Sequence, residues 1–529
     1  MFCDASSLPD NASELKELVL TLQQDYEAQI SHLHEQIRHL RGKLFGRKTE
    51  RYATEGEQEQ LRLFDEIEQA HTHKPDKDEL SVAAHKRKKR GRKPLPEDLP
   101  RVEVVHDLPE EEKTCACGCK LSKIDEEVSE KLDYIPAKLQ VIRHVRYKYA
   151  CKGCEGIESE TGTVKIASPP VQIIPKGIAT PGLLAQILVS KFCDALPFYR
   201  QEKIFSRLKI DIPRANMANW AIEVSRQCRP LLELLRSEIL SGPLVNIDET
   251  TVQVLKEPGR VNTSQSYMWV FRGGPPDKSA LVFQYHPSRS GQVPKDYLGD
   301  YQGYIQTDGY KGYNALAAQS GIIQVGCWAH ARRKFHEVVQ TRKKNNGQKA
   351  KIGSGDVALS YIKKLYRIEA MAKEKKYSYE QTKQLRQEQA KPVLDEFKSW
   401  LEKRFPHTPP KGLLGKAIAY TLDQWDNLVR YLEDGRLRPD NNLAENAIRP
   451  FVVGRKNWLF SGHPRGAEAS ASLYSLIETA KANDLEPYLY FRFLFDRLPL
   501  ATSTHDYKAL LPQYLDRGEY LRAPLGAVH

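Results

Sequence analysis

Asp248 and Asp308 each close a short apolar run. Leu244-Val-Asn-Ile leads into Asp248-Glu-Thr250, and Gly303-Tyr-Ile-Gln-Thr leads into Asp308-Gly-Tyr310. Both runs read as strands, and Gly309 lets the chain turn sharply after the second. Thr251-Val-Gln-Val-Leu255 reads as a separate strand beyond Asp248. Carboxylates borne on strands in a basic protein suit a divalent-cation site aimed at phosphate. Glu445 is the best third member. Its segment, Arg438-Pro-Asp-Asn-Asn-Leu-Ala-Glu445-Asn-Ala-Ile-Arg449, reads as a helix capped by Asp440 or Asn441, with Glu445 and Arg449 on one face. Two or three such acids can hold a pair of Mg²⁺ (or Mn²⁺) ions across an in-line phosphoryl displacement. From pattern alone, acids that merely decorate strand ends remain the competing reading.

Cations accompany these acids. His330, Arg332, Arg333 and Lys334 lie on a basic helix, 329–340, after the last strand of the region, and Arg455 and Lys456 open a basic loop. Either group could meet phosphate. His330 and Trp328 could equally serve the interior. Cys327 has no partner cysteine nearby and receives no ligand role. No G-x-x-x-x-G-K-[ST] pattern occurs, so nucleotide hydrolysis for energy is not indicated.

Five of the nine cysteines fall between Cys115 and Cys154. Cys151-Lys-Gly-Cys154 is a clean knuckle pair, whereas Cys115-Ala-Cys117-Gly-Cys119 is compressed, so one of its three thiols is spare. Four thiolates around one ion leave no open position, which points to structural Zn²⁺ in a reducing compartment. Between the two groups, Val141 to Tyr149 alternates β-formers with cations, as a phosphate-facing strand would.

Upstream, seven of the eight residues from Lys86 to Lys93 are basic: Lys86, Arg87, Lys88, Lys89, Arg90, Arg92 and Lys93. They sit in a polar stretch that reads as a linker, where self-repulsion calls for a compensating polyanion. Such a run neutralises phosphates without reading bases. The whole chain of 529 residues carries a formal net charge of +12, in keeping with a polyanionic partner. No run of eighteen apolar residues exists and the N-terminus lacks a signal pattern, so the expectation is a cytoplasmic, nucleoid-associated protein with no membrane partner.

The remaining stretches must position these groups. Leu15, Val19, Leu22, Tyr26, Ile30, Leu33, Ile37, Leu40 and Leu44 recur at threes and fours with one stutter, which predicts a coiled-coil helix over 12–45 and a homodimer or higher assembly. A single amphipathic helix is the alternative. Residues 46–100 form the polar and basic linker and 101–168 the zinc-binding domain. Helical spacing over 176–240 resembles a helix-turn-helix, with Arg214, Asn216, Asn219 and Trp220 near the entry of its third helix. Plain helical packing, with Trp220 as core, reads as well. Strand candidates at 244–247, 251–255, 266–272, 280–285, 304–307 and 322–327 predict a mixed sheet in 243–345. A Lys- and Gln-rich helical insertion over 346–436 follows, then a return to the core in 437–484 and a C-terminal segment, 485–529. The fold class expected is multidomain α+β.

Several longer stretches resemble the transposases of the insertion-sequence 66 family, across essentially the whole chain. They include Leu44-Phe-Gly-Arg47, Arg90-Gly-Arg-Lys-Pro-Leu-Pro96, Ser129-Glu-Lys-Leu-Asp-Tyr-Ile-Pro136 and Ser190-Lys-Phe-Cys-Asp-Ala-Leu-Pro-Phe-Tyr-Arg200. Asp248-Glu-Thr-Thr-Val-Gln-Val-Leu255, Thr307-Asp-Gly-Tyr310, Cys327-Trp-Ala-His-Ala-Arg-Arg-Lys-Phe335 and Asn442-Leu-Ala-Glu445-Asn-Ala-Ile-Arg-Pro450 complete the match. The resemblance implies a ribonuclease-H-like catalytic core with a DDE triad of Asp248, Asp308 and Glu445. It implies cleavage of element ends and their joining to target DNA, with water and then a DNA 3′-hydroxyl as nucleophiles. Double-stranded DNA is the implied substrate, with accessory proteins encoded by the same element as further partners. The chain departs from the family in one place: the first cysteine pair is normally separated by two residues, and here only gaps of one or three exist. A structure-selective nuclease on the same scaffold, and a DNA-binding regulator with incidental acids, are the alternatives.

Overall fold

The computed structural model describes residues 139–150, 164–313, 316, 321–341 and 353–522, with scattered positions of a helix between 11 and 41. Residues 49–169 form one compact unit, and 1–48 with 170–529 form another. Within the first, β1 (Lys148–Ala150) pairs antiparallel with β2 (Val164–Ile166). Of the alternating stretch Val141 to Tyr149, only Lys148 and Tyr149 are strand; Val141, Val145 and Tyr147 are exposed and lie before it. All five of Cys115, Cys117, Cys119, Cys151 and Cys154, and the run Lys86 to Lys93, lie outside the described residues. On the N-terminal helix, Val19, Tyr26, Ile30, Leu33, Ile37 and Leu40 are exposed. The apolar seam therefore lies uncovered at these positions.

In the larger unit, α1 (Pro181–Phe192), α2 (Phe198–Arg207), α3 (Arg214–Gln227) and α4 (Arg229–Ser241) precede the sheet. Thr180 caps α1 by accepting from Leu183 N, and Pro181 takes the first helical position, where a missing N–H costs nothing. In α3, Met217 and Trp220 are buried while Arg214, Asn216 and Asn219 are exposed, so Trp220 is core and the polar residues form an open face.

The sheet has five strands in the order β5-β4-β3-β6-β7. Its members are β3 (Leu244–Gln253), β4 (Gln265–Gly273), β5 (Ala280–His286), β6 (Gly303–Gln306) and β7 (Ile322–Val325). The first three are antiparallel neighbours; β6 runs parallel to β3 and β7 parallel to β6. This is a mixed sheet in an α+β fold. The sequence suggested two strands around Asp248, but β3 is continuous because β4 pairs with it from Asn246 through Gln253. Thr250, Thr251 and Val252, all β-branched, carry the extended backbone past the acids. Asp248 is thus mid-strand.

After β5 come α5 (Gln292–Leu298), then β6, β7 and α6 (Trp328–Gln340). The helices α7 (Ser354–Glu374), α8 (Tyr379–Leu385), α9 (Lys391–Arg404), α10 (Leu413–Asp423) and α11 (Trp425–Val429) follow as a helical insertion. The chain returns through α12 (Asn442–Trp458), α13 (Pro464–Ala482) and α14 (Pro487–Arg497). The insertion has its own hydrophobic cluster, and α6 feeds it with Trp328, Ala331 and Phe335. Trp328 is fully buried, donates from Nε1 to Leu428 O at 2.9 Å and meets Trp425 edge-on.

Both sheet edges are covered. On the β5 side, Leu281 N donates to Thr479 Oγ1 at 3.0 Å and Phe283 N to Ser475 Oγ at 2.7 Å, so hydroxyls of α13 take the place of a further strand. On the β7 side, Arg430 Nη1 donates to Gln324 O and Gly326 N to Asn427 O.

One buried cation organises the insertion. Arg386, 2 % exposed, forks onto Glu369 at 2.7 and 2.8 Å and donates to the carbonyls of Tyr431, Asp434 and Leu437. Arg386→Ala should therefore destabilise this subdomain by about 3–5 kcal/mol, because three carbonyls and a carboxylate lose their donors at once. Urea melts followed by tryptophan fluorescence would read it; an unchanged midpoint would contradict this role.

Candidate active site

Register brings the acids together. Asn246 lies opposite Gln306 in the parallel β3–β6 pair. Asp248 and Asp308 each follow that pair by two residues on adjacent, parallel chains, close enough for Asp308 to raise the Asp248 carboxyl. Asp308 lies just past the end of β6; its Oδ1 accepts from Tyr310 N at 2.8 Å. The turn depends on Gly309, whose φ is +80° and whose missing Cβ would sit 2.9 Å from the Tyr420 hydroxyl. That hydroxyl donates to Asp308 O at 2.8 Å.

Glu445 comes from the first turn of α12, which packs against β3. The helix N-terminus is favourable ground for an acid. Cap geometry differs from the simple expectation: Asp440 Oδ1 accepts from Asn442 N at 3.1 Å, while the Asn441 side chain turns inward. Glu445 Oε2 meets Arg333 Nη2 at 3.3 Å, and its Oε1 lies 3.5 Å from His330 Nδ1. Cys327 Sγ is 4.0 Å from the same Oε1. Cys327, His330 and Glu445 thus form a group with metal-ligand spacing, their donor atoms all within 4.8 Å of one another.

The acids repel one another in a half-buried setting. Burial raises the Asp248 carboxyl well above its ordinary value, and Glu249, Glu445 and Asp308 push it further the same way. Burial also raises Glu249, opposed by Tyr313 and Arg289. Arg289 Nε donates to Glu249 Oε1 at 2.6 Å and its guanidinium lies over the Tyr310 ring at 3.9 Å, while the Tyr313 hydroxyl donates to Glu249 Oε2. Burial lowers His330 despite Glu445, and pushes the Cys327 thiol up to about 12. That thiol accepts from Asn441 N at 3.2 Å, so Cys327 serves as a buried acceptor as well as a neighbour of Glu445.

Of the other predicted residues, Arg455 Nη1 reaches Thr250 and Thr251 on β3 at 3.3 and 3.0 Å, and Lys456 is exposed beside it. Arg332 lies within electrostatic reach of Tyr366. Arg214, Asn216 and Asn219 are exposed on α3. Sequence reasoning missed Glu249, Arg289 and Tyr313. Adjacency to Asp248 was the available signal for Glu249; for the other two, contact with it is visible only in three dimensions.

Behind the acids lies a dry amide cluster. Asn246, Gln306 and Asn441 are 2, 0 and 1 % exposed. Asn246 Nδ2 donates to Gln306 Oε1 at 3.0 Å and to Asn441 Oδ1 at 2.9 Å. Asn441 Nδ2 donates to Ile247 O at 2.9 Å, and Gln306 Nε2 to Gly326 O and Arg438 O at 3.1 and 2.8 Å.

A mixed five-stranded sheet with crowded carboxylates on adjoining chains, and a donor group of metal-ligand spacing beside them, suits a metal-dependent phosphoryl-transfer enzyme. Comparison with known families narrows the class to a DDE-type, DNA-cleaving transposase. The chain belongs to the IS66 transposase family: residues 176–469 match the model described as Transposase IS66 family. Residues 475–513 match the IS66 C-terminal element and 112–155 the zinc-finger binding domain of transposase IS66. Residues 32–104 match a model described as Transposase C of IS166 homeodomain. Among relatives, the uncharacterized protein y4jD of Sinorhizobium fredii (strain NBRC 101917 / NGR234) is 33% identical over 84% of this chain and 86% of its own. The uncharacterized protein y4qI of the same strain is 29% identical over 97% of this chain and 98% of its own.

Among the described residues, no helix is long and apolar enough to cross a membrane.

Proposed function

We propose that Asp248, Asp308 and Glu445 are the catalytic triad of this transposase, on a ribonuclease-H-like core, and that it both cleaves element ends and joins them to target DNA. The observation that carries the reading is the β3–β6 register, which sets Asp248 and Asp308 two residues beyond one paired position, with Glu445 and Asp308 within electrostatic reach of Asp248. The donor set fits divalent cations: four carboxylates crowd the site, and the strong ion pair from Arg289 serves Glu249. Bound Mg²⁺ or Mn²⁺ would supply Lewis-acid stabilisation of the attacking and leaving oxygens. The chain's own residues do the rest. Asp248, Asp308 and Glu445 would hold the cations. Arg333 and His330 orient Glu445, and Arg289 and Tyr313 fix Glu249 so that it does not swing into the cluster. Arg455 and Lys456 meet phosphate. Strand transfer with labelled element ends tests the reading; cutting without joining would favour the nuclease, and neither activity would favour the regulator.

The larger organisation is inferred on the same footing. A coiled-coil helix (12–45) makes the homodimer, supported by its uncovered seam, and a basic linker (46–100) leads to the zinc-binding domain (101–168). A helix-turn-helix-like region (176–240) then precedes the two core parts (243–345 and 437–484), the insertion (346–436) and the tail (485–529). Zinc is held by Cys151, Cys154 and two of Cys115, Cys117 and Cys119. The substrate dictates that the protein works at the nucleoid, with accessory element-encoded proteins as further partners.

DNA contact divides into two kinds. Glutamine in place of the cations Lys86, Arg87, Lys88, Lys89, Arg90, Arg92 and Lys93 should weaken binding to all sequences alike and flatten its salt dependence, because such contacts release counterions. Asn216→Ala or Asn219→Ala should instead cost about 1–3 kcal/mol of discrimination between element ends and unrelated DNA, since amides read adenine edges. Titrations on both DNAs at several salt concentrations separate these. Loss of specific binding alone in the linker variant, or unchanged preference in the α3 variants, would refute the division.

A further inference from the structure

The chain leaves the core after α6, builds the helical insertion, and must then return Glu445 to the two aspartates. We infer that Asn246, Gln306 and Asn441 are the positioning residues that set this return, a buried amide latch that fixes the spacing of the three acids. The inference rests on the triad reading above.

The placement is specific. Asn246 and Gln306 are a paired position of β3 and β6, each two residues before its acid, Asp248 within β3 and Asp308 just past β6. Asn441 is the N-cap of α12, four residues before Glu445, and its carbonyl accepts from Glu445 N at 3.2 Å. Each acid therefore has an amide at a fixed offset, and the three amides bond to one another. Asn246 joins the other two, donating to Gln306 Oε1 and Asn441 Oδ1. Asn441 closes onto the backbone of β3 at Ile247 O, immediately before Asp248. Gln306 holds Arg438 O, in the returning segment, and Gly326 O, just past β7. Backbone pairing adds to the clamp: Trp328 N donates to Pro439 O at 2.8 Å, and Asn441 N to Cys327 Sγ.

Amides suit this task better than charges or apolar groups. Each offers donors and an acceptor at once, so the cluster is satisfied with no net charge added beneath four carboxylates. A shift of Glu445 by one position in α12 would break several bonds in a dry interior, where an orphaned polar group is costly. An apolar contact would tolerate the slip.

The test uses the full, zinc-loaded chain. Asn246→Ala and Gln306→Met remove the centre and one arm; Asn441→Ala removes the other arm and leaves the Gln306 bonds in place. Each variant is measured for Mn²⁺ binding by calorimetry, for binding of element-end DNA in Ca²⁺, and for the Mn²⁺ concentration giving half-maximal cleavage. For a positioning role, Mn²⁺ binding weakens by about 10–100-fold and the half-maximal concentration rises in step. Excess Mn²⁺ then restores much of the rate, while DNA affinity is unchanged. Wild-type Mn²⁺ binding in folded variants would overturn the latch, as would activity lost only in proportion to folded protein. If Asn246→Ala or Gln306→Met fails to fold, Asn441→Ala decides by the same readouts. Asp248→Asn runs alongside: full activity there would sink the triad reading itself, separately from the latch.

Discussion

Asp248→Asn, Asp308→Asn and Glu445→Gln each leave element-end binding intact and reduce cleavage and joining by about 10³-fold or more. The size follows from removing a ligand to cations that contribute several kcal/mol of transition-state stabilisation, at about 1.4 kcal/mol per tenfold. The swaps keep shape, so packing does not explain a loss. Asp248→Asn carries a second, opposite signature. The folded-state value of Asp248 lies above its ordinary one, so the folded chain retains a proton that the unfolded chain has released. Without divalent cation, wild-type stability therefore falls as pH rises from about 4 through the raised value, and Asp248→Asn lacks that fall. At pH 8, in buffers stripped of Mg²⁺ and Mn²⁺ but without chelator, the inactive variant should melt above the wild type. Gel assays with labelled ends and calorimetry read the two halves. Full strand transfer by any one variant removes that residue from the triad; a lower melting point for Asp248→Asn contradicts the crowding of the acids.

The acids were legible in sequence because strand patterning and turn chemistry are local. Leu244 to Ile247 and Gly303 to Thr307 announce extended chain, and Gly309 announces the turn. Continuity of β3 through Asp248 was not legible, since an Asp-Glu pair reads as a strand end unless the β4 partner is known. Trp220 was ambiguous between reading head and core, and burial assigns it to the core; Trp328, offered as an interior residue, is buried as well. Pro450 looks like a helix stop, yet α12 runs through it to Trp458. The amide cluster was the least legible part. Asn246, Gln306 and Asn441 are polar residues at positions where local pattern favours solvent, and only tertiary pairing makes them interior. Their fixed offsets from the acids are visible afterwards in the sequence, but nothing local marks an Asn two residues before an Asp as buried.

Purified protein should carry one zinc per chain, and Cys151→Ser or Cys154→Ser should lose both the ion and the fold of the small domain. The segment matched as a zinc-finger binding domain, 112–155, contains all five candidate cysteines. In the sequence Cys151 directly follows β1, which ends at Ala150 and pairs with β2. A ribbon of three residues per strand has almost no core of its own. Metal binding is then folding free energy, and about 10 kcal/mol or more is typical of such sites at neutral pH. The compressed first group separates two geometries. Cys119→Ser with zinc retained and Cys115→Ser with zinc lost would select the one-residue spacing of Cys115 with Cys117. If Cys117→Ser keeps zinc while the outer two each lose it, the three-residue spacing of Cys115 with Cys119 is selected. Plasma emission on chain purified without chelators gives the stoichiometry, and protease sensitivity between residues 101 and 168 reports the fold. Absence of zinc in that material would eliminate the site and leave the five thiols without a structural task.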